Sequence, residues 1–374
     1  LETRIFGDVN REVKLHKDLL RAYDSTEPPE TVTTVKIRFI LKKFNFDSEE
    51  SIFKIYSWII FYWNDKRLKW NPDEHGGIKV TEFMYTQIWM PVLKQKSGFE
   101  YKELGFFHPE SCHVYNSGRV HCVEQHGVMM NECLTNLTDW PYDLQSCYFT
   151  FGPYSHSKYP VVFTFNGSRG MSLFGPEYGN GWDIIDFQSG ENKTELYLHF
   201  VVERKGVGLA TAVIAPSVVL SVLTISSLFL DTGYIRSGIA NLSLLCHFRF
   251  LYLFSELVPK HGTTTPSALR YLNVSMVFTI IAVGLSFILI SLRRRSVTPP
   301  GWMCTVNEFV FKGVGKFLIW PRWKPPKCES VDTYKAFEAW TDFANILNSV
   351  AIIVSVIVYQ SAYLALVPHE QPWD

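Results

Sequence analysis

The sequence predicts an all-β, immunoglobulin-like sandwich followed by an all-α domain of four transmembrane helices. The chain has 374 residues, enough for two domains. Its first half alternates short apolar and polar runs between turn residues. After it come three long runs without Asp, Glu, Lys or Arg, at 209–230, 272–292 and 343–367. About 20 such residues span the hydrocarbon core of a bilayer, which makes these runs membrane spans.

Composition supports the same division into a domain at 1–206 and a transmembrane domain at 207–374. Hydrophobic residues make up 47% of the chain, and their excess lies in the second part. The formal net charge is zero, so the chain lacks the basic balance of a nucleic-acid-binding protein. We therefore expect no nucleic-acid partner.

Short strands account for the first part of the chain. The runs 31–39 and 195–204 alternate apolar and polar residues as half-buried strands do. Gly76-Gly77 and other turn residues separate such runs, and many short strands at this spacing favour a sandwich. Before them, apolar residues among charges at 10–21 predict a short helix.

Four cysteines lie in the predicted sandwich: Cys112, Cys122, Cys133 and Cys147. An even number in an oxidising compartment indicates two disulfides, and four cysteines allow three pairings. Cys112–Cys122, across a hairpin-like turn, and Cys133–Cys147 are the local pairs. Four reduced, buried thiols are the alternative.

The orientation follows from charge and from glycosylation signals. The segment 293–342 opens with three arginines and adds further lysines, so it is predicted to be a cytoplasmic loop. Four spans then place the N-terminal domain outside the cell. Sequons at Asn136, Asn166 and Asn192 suit an extracellular surface.

The fourth span, at 237–258, is apolar but contains ionisable residues, which are costly in a membrane unless they face water or a partner. One helical face carries residues at steps of three and four: Gly238, Leu242, Leu245, Arg249, Leu253 and Glu256. Such a face suits a pore, with Leu242 and Leu245 as a hydrophobic constriction that gates by dewetting. The alternative is an internal bundle helix in which Arg249 and Glu256 pair locally.

Several motifs in this order resemble one family. The most specific is Cys133 to Cys147, which encloses the tip Trp140-Pro141-Tyr142-Asp143. Weaker motifs occur at 63–72, 87–91, 181–183, Pro216 and 256–259. Over nearly its whole length the chain resembles the Cys-loop pentameric ligand-gated ion channels, the group of nicotinic, serotonin, GABA-type and glycine receptors.

This resemblance implies the function and the partners. It implies a receptor subunit, not an enzyme, that opens a pore along the second span when a small-molecule agonist binds outside. It implies assembly with four further subunits, contact with membrane lipids and permeant ions, and a multi-pass location in the plasma membrane, at a synapse for example. No cofactor or metal is expected.

The resemblance also implies a ligand pocket between neighbouring sandwiches, where aromatic rings hold an amine by cation–π attraction. The positions that match are Trp58, Tyr154, Phe187, Tyr197 and Lys96. Where nicotinic members have tyrosine, this chain has Lys96, which would repel an amine. We therefore expect either a ligand with a carboxylate or no small-molecule agonist. Each aromatic residue on its own is equally typical of a sandwich core.

The residues before and along the pore helix favour anions weakly. The turn 231–236 ends in Arg236, which we assign to the inner end of the pore, and it has no glutamate, which resembles anion-selective members. If Arg249 faces the pore, each subunit adds a positive charge there. Glu256 at the outer mouth opposes this.

The resemblance assigns the loop tip to coupling between the ligand site and the pore. Asp143 is expected to pair with Arg204, with Asp47 and Glu49 nearby, and such pairs can have two arrangements. A static salt bridge is the alternative. The residues expected at this junction are Asp47, Glu49, Trp140, Pro141, Tyr142, Asp143, Arg204 and Pro266.

Three other functions compete with a self-sufficient channel. One is a partner subunit that works only in a heteromeric channel and has no agonist site of its own. Another is a membrane-anchored β-sandwich recognition protein, which needs one span and no arginine at mid-membrane. An enzyme is disfavoured, because His113, His121 and nearby histidines have the spacing of no closed metal site.

Overall fold

The computed structural model describes residues 2–98, 106–107, 109, 111–153, 159–173, 181–192, 195–231, 233–260, 262–324 and 331–368. The chain forms two compact units. The first contains Leu1–Asn136, Leu144–Lys205 and Lys260–Thr263. The second contains Leu137–Asp143, Gly206–Pro259 and Thr264–Asp374.

The first unit is a helix followed by a two-sheet sandwich. Helix α1 spans Glu2–Leu20 and begins earlier than the predicted helix at 10–21. The strands are β1 (Thr33–Asp47), β2 (Ile52–Asn64), β3 (Val80–Met84), β4 (Leu93–Gln95), β5 (Phe106–Phe107), β6 (Ser111–Tyr115), β7 (Arg119–Glu132), β8 (Leu144–Pro153), β9 (Val161–Phe165), β10 (Met171–Leu173), β11 (Trp182–Asn192) and β12 (Glu195–Arg204).

Seven strands form one sheet in the order β10-β1-β2-β7-β6-β3, with β9 also paired to β1. The other five form a second sheet in the order β11-β12-β8-β4-β5. The described pairs are antiparallel except those of β1 with β9 and β10. Alternation along β1 buries Val35, Ile37 and Phe39, as the sequence pattern predicts.

Aromatic rings fill the space between the two sheets. The Phe53 ring of β2 lies 5.4 Å from the Phe200 ring of β12 and 6.0 Å from the Phe149 ring of β8. These side chains are fully buried. Because large rings remove much apolar area from water, this cluster supplies a main part of the stabilisation of the sandwich.

Both disulfides join the local pairs. Cys112 and Cys122 are directly opposite each other on β6 and β7, and Cys133 and Cys147 close the loop between β7 and β8. All four cysteines are buried. The structure thus selects one of the three pairings that the sequence allows.

The second unit is helical. Its helices are α2 (Val207–Phe229), α3 (Tyr234–Leu257), α4 (Ser267–Arg293), α5 (Gly301–Lys312) and α6 (Val331–Leu366). Within the described part of the chain, four helices are long and apolar enough to cross a membrane: Val207–Phe229, Tyr234–Leu257, Ser267–Arg293 and Tyr334–Leu366.

The last helix is longer than the predicted last span. The sequence places a cytoplasmic loop at 293–342 and the last span at 343–367, but α6 already begins at Val331. Its early turns bury Ala336 and Trp340, which are four residues apart on one face, beside charged residues such as Asp342. A search for uncharged runs detects only the apolar part of such a helix.

The tip of the disulfide-closed loop belongs to the helical unit. Trp140 is fully buried, and its ring lies 5.4 Å from the Phe254 ring of α3. Leu137 N–H donates to Thr264 Oγ1 at 2.9 Å, and Ser267 N–H donates to the Thr138 carbonyl at 2.9 Å. The tip is therefore part of the core that α2, α3 and α4 share.

The interior of the helical unit is polar at its centre. Thr224 Oγ1 of α2 lies 3.0 Å from Ser243 Oγ of α3 and 2.8 Å from Thr279 Oγ1 of α4. His247 of α3 is fully buried, with Nε2 2.7 Å from Ser275 Oγ of α4. Since a bilayer offers these groups no other partners, they turn one face of each helix inward.

Gly206 permits the close approach of the loop tip to the start of α2. A Cβ at Gly206 would lie 2.1 Å from the Pro141 carbonyl oxygen. We expect Gly206→Ala to displace the tip and to lower the unfolding temperature of the detergent-solubilised chain by several degrees. Gly208→Ala is the matched control, because a Cβ there meets nothing within 4 Å. Equal unfolding temperatures for both variants would contradict this packing.

The burial of His121 in the sandwich predicts that the stability of the protein depends on pH. His121 of β7 stacks on Tyr62 and lies opposite His113; burial first, then the His113 charge, lowers its pKa below 6.5. The unfolded chain then binds a proton that the folded chain does not, so stability falls as pH drops below about 6.5 and is flat above it. We expect His121→Phe, which keeps the stack, to reduce this acid-side fall in unfolding temperature.

The reduction should be partial. Burial also lowers the pKa of His16 and of His199. Between pH 7.5 and 8.5 the wild type and His121→Phe should show parallel stability curves. An unchanged acid-side slope in the variant would exclude His121 as a contributor.

Candidate functional site

The residues assigned to the ligand pocket lie in different parts of the sandwich. Trp58 of β2 faces outward from the seven-stranded sheet and is 37% exposed. Tyr197 of β12 is 38% exposed, whereas Phe187 of β11 is half-buried and packs its ring 4.9 Å from the Phe200 ring. Phe187 therefore belongs in part to the core. Tyr154 lies outside the described residues.

One cavity of about 970 Å³ brings Phe187 and Tyr197 together. It is lined by residues of β1, of the segment between β9 and β10, and of β10, β11 and β12: Arg38, Asn166, Gly167, Ser168, Arg169, Gly170, Met171, Ser172, Ile185, Asp186, Phe187, Gln188, Ser189 and Tyr197. Arg38 donates from Nε and Nη2 to Ser172 Oγ at 3.0 and 2.7 Å. Polar and charged groups thus surround the two aromatic rings.

Gly190 allows the Tyr197 ring to lie across β11. The two residues are directly paired, and a Cβ at Gly190 would lie 2.3 Å from the Tyr197 hydroxyl oxygen. Only a glycine leaves room for the ring in this position. The sequence contains both residues, but only the pairing register shows that the glycine lies opposite the tyrosine.

Lys96 is not an isolated charge. Its Nζ lies 2.7 Å from Glu195 Oε1 at the start of β12, and both side chains are partly exposed. The expectation that Lys96 repels an amine assumed an unpaired ammonium. The carboxylate of Glu195 offsets that charge, so Lys96 by itself does not exclude a cationic ligand.

The predicted pore face of α3 is exposed along its length. Leu242, Leu245 and Leu253 are 55%, 67% and 41% exposed, and Gly238, Arg249 and Glu256 are exposed with them. In the described part of the chain, neither Arg249 nor Glu256 forms an ion pair; the Arg249 guanidinium lies 5.6 Å from the Tyr252 ring. This geometry disfavours an internal helix with a local Arg249–Glu256 pair.

Arg236 does not belong to this face, which corrects the sequence prediction. Successive helical residues turn by about 100°, so Arg236 lies nearly opposite Gly238 and in line with Ala240, Ser243 and His247. It is fully buried. Its Nε donates to Ser286 Oγ at 3.0 Å, and its Nη1 donates to Asn348 Oδ1 at 2.8 Å.

One of the arguments for anion selectivity no longer holds. It relied in part on Arg236 at the inner end of the pore helix, where the buried guanidinium instead ties α3 to α4 and α6. Asn348 Nδ2 and Arg236 Nη1 also donate to the Leu228 carbonyl, at 3.0 and 3.4 Å, and so cap the end of α2.

The residues assigned to coupling are distributed over both units. In the sandwich, Arg204 Nη1 donates to Ser48 Oγ at 3.1 Å, and its guanidinium lies 4.3 Å from the Trp182 ring. In the neighbouring turn Asp47 Oδ1 accepts from the backbone N–H groups of Glu49 and Glu50.

In the helical unit Asp143, Trp140, Pro141 and Pro266 are buried, and Tyr142 is half-buried. Pro266 precedes the first turn of α4. The pairing of Asp143 with Arg204 stays a prediction.

The three sequon asparagines lie on the sandwich. Asn136 and Asn192 are exposed, and Asn166 is half-buried at the rim of the 970 Å³ cavity. Glycosylation at these positions stays a prediction.

Sequence reasoning missed the polar centre of the helical unit. Ser217, Ser221 and Thr224 follow steps of four and three in α2, and Ser275, Thr279 and Ser286 lie on one face of α4. Hydroxyl residues at helical spacing within apolar spans are a readable signal of an inward face.

Comparisons with known proteins now add to this geometry. Residues 12–216, more than half of the chain, match the family model of the neurotransmitter-gated ion-channel ligand binding domain. Acetylcholine receptor subunit beta-type lev-1 of Caenorhabditis elegans is 24% identical over 302 residues, which cover 77% of this chain and 58% of that protein.

Two further relatives are acetylcholine receptor subunits. Neuronal acetylcholine receptor subunit eat-2 of Caenorhabditis briggsae is 25% identical over 311 residues, 76% of this chain and 62% of that protein. Neuronal acetylcholine receptor subunit alpha-2 of Homo sapiens is 24% identical over 334 residues, 84% of this chain and 62% of that protein. The chain spans about three-fifths of the length of these relatives.

These relatives decide several expectations. They are named as receptor subunits, and such receptors are not enzymes. None of them supports anion selectivity. Together with four apolar helices they confirm a multi-pass protein of the plasma membrane with its N-terminal domain outside. The match across the sandwich, the closed loop and the start of the first span shows that the chain belongs to the neurotransmitter-gated ion channels, the Cys-loop family of pentameric receptors.

Proposed function

We propose that the chain is a subunit of a ligand-gated ion channel in which α3 of each copy lines the pore. The observation that carries this proposal is the orientation of α3. Its polar face, with Arg236, Ser243 and His247, is buried within the unit, and the opposite face from Gly238 to Glu256 is left for other subunits and for water. Five copies would place rings of Leu242 and Leu245 around one axis.

The loop tip is the element proposed to transmit ligand binding to the pore. Trp140 packs against Phe254 near the outer end of α3, while the Cys133–Cys147 disulfide holds the two strands that lead to the tip. A displacement of the tip would act on α3 directly. Charged pairs such as Asp143 and Arg204 belong to this proposal as elements with two possible arrangements.

The agonist and the composition of the pentamer are also part of the proposal. The relatives are named as acetylcholine receptor subunits, so a small-molecule transmitter at a synapse is the class of agonist to test first. A subunit that works only in a heteromer is the second candidate. The Lys96–Glu195 ion pair favours it, because a lysine paired with a carboxylate stands where nicotinic members have a tyrosine ring.

The proposed function makes a prediction about the constriction on α3. Leu245→Ser places a hydroxyl group at an exposed position of the apolar ring, which should hydrate the pore and raise the resting current several-fold without agonist. Whole-cell recording from cells that express the chain, alone and with acetylcholine receptor subunits, measures this.

Val219→Ser is the matched control, because Val219 is 63% exposed on α2 but lies on another helix. The control should leave the resting current unchanged. Surface labelling verifies that the wild type and both variants reach the cell surface in equal amounts. A resting current that is the same in Leu245→Ser and in the wild type, in every combination that reaches the surface, would argue against α3 as the pore.

The proposed function also makes a prediction about ion selectivity. Arg249→Gln removes one positive charge per subunit from the proposed pore face, so the permeability ratio of sodium to chloride should rise whichever ion the wild type prefers. Reversal potentials in exchanged sodium and chloride measure the ratio. Arg270→Gln is the control: Arg270 is exposed at the start of α4 and donates to Thr265 Oγ1. If Arg249→Gln leaves the reversal potential where it was, Arg249 does not face the ion path.

A further inference from the structure

Trp58 already has a cation on its ring. Lys42 Nζ of β1 lies 3.4 Å from the centroid of the Trp58 ring of β2. This distance is well within the range of about 6 Å over which an ammonium is attracted to an aromatic face. The ring that would hold a ligand's amine is thus occupied by an amine of the same chain.

A β-bulge places Lys42 in this position. The pairing of β1 with β2 shifts between Leu41 and Lys43, so Lys42 is an extra residue in the strand. The alternation of buried and exposed positions breaks there, and both Lys42 and Lys43 are exposed. Bulges re-aim side chains, and this one directs the Lys42 ammonium over the indole.

A second irregularity marks the other side of Trp58. The pairing of β2 with β7 shifts between Ser57 and Ile59, so that two residues of β7 oppose Trp58. The Trp58 ring therefore lies where both neighbouring strands bulge. The bulges on β1 and β7, the two strands that pair with β2, set the surroundings of the ring and of Lys42 apart from the rest of the sheet, which is regular.

Among the residues that the structure describes, no carboxylate pairs with Lys42. Within the described residues Lys42 has no ion pair, in contrast to Lys96, which is paired with Glu195. Lys36 and Arg38 are also exposed on β1, and the side chain of Arg38 donates to the neutral hydroxyl of Ser172. The outward face of β1 beside Trp58 is therefore cationic.

We propose that Lys42 sets the ligand class at Trp58: it excludes an ammonium group from the ring and pairs with a carboxylate of the ligand. This inference rests on the proposed function only in taking the Trp58 face as part of the ligand site. An incoming ammonium would meet an occupied ring and a like charge, whereas a carboxylate would gain the missing partner of Lys42.

Two simple probes separate the two charges. Tetramethylammonium carries a cation without a carboxylate, and propionate carries a carboxylate without a cation. Calorimetric titration of the detergent-solubilised full chain should show binding of propionate to the wild type and none of tetramethylammonium. Lys42→Ala should weaken propionate binding about tenfold, the typical effect of losing one charge-assisted hydrogen bond, and should create binding of tetramethylammonium.

Lys43→Ala is the matched control, because Lys43 is the adjacent exposed lysine of the same bulge. It should bind both probes as the wild type does. Lys42→Ala combined with Trp58→Ala should lose the new tetramethylammonium binding, which locates that binding at the ring. All three variants change exposed side chains, and an unchanged unfolding temperature verifies their folding.

Three results would overturn the proposal. They are tetramethylammonium binding to the wild type that Trp58→Ala abolishes, a wild type that does not bind propionate, and equal effects of Lys42→Ala and Lys43→Ala. Because these titrations need no current, they are independent of the channel test. A chain that conducts but fails them refutes the ligand class alone, and a chain that passes them without conducting refutes the channel alone.

Discussion

The orientation of α3 depends on polar side chains that a bilayer cannot solvate. Arg236, Ser243 and His247 lie on one face of the helix and find their partners on α2, α4 and α6. Rotating α3 would leave a guanidinium, an imidazole and several hydroxyl groups in hydrocarbon, at several kcal/mol for each unsatisfied group. The inward face is therefore determined by hydrogen bonding, and the outward face is whatever remains.

This constraint explains the separation of two kinds of arginine on one helix. Arg236 is fully buried and donates to neutral oxygen atoms and to a helix end, where the partial negative charge of the α2 C-terminus favours it. Arg249 is exposed on the other side. Charge alone cannot distinguish the two positions. Their phase around the helix does, and it follows from the hydroxyl groups that surround one of them.

Much of this arrangement was predictable from the sequence, and the reasons differ from part to part. Alternation and uncharged runs predict the sandwich and the spans because burial has a period in strands and a minimum length in membranes. The uncharged run at 343–367 does not reveal where α6 begins, because amphipathic turns precede its apolar part. The sequence places Arg236 wrongly, because the motif that ends in Arg236 indicates the pore but does not show on which side of the helix the residue lies.

The ligand face shows a different limit of sequence reasoning. A motif in the sequence identifies the position of Lys96, but the sequence does not show that its charge is paired with Glu195. Lys42 belongs to no motif, and its position over Trp58 follows from a shift of register by one residue. Such a shift has no fixed signature in a single sequence, because it depends on how two strands pair. The contacts that tune a sheet surface are therefore visible only once the pairing is known.

The placement of residues Leu137–Asp143 in the helical unit bears on how the chain matures. The core around Phe254 is incomplete without Trp140, a side chain made long before α2 is synthesised. A fragment that begins at α2 would lack Trp140 and would leave a gap in this core, so the helices are expected to fold fully only when the loop tip precedes them in the same chain.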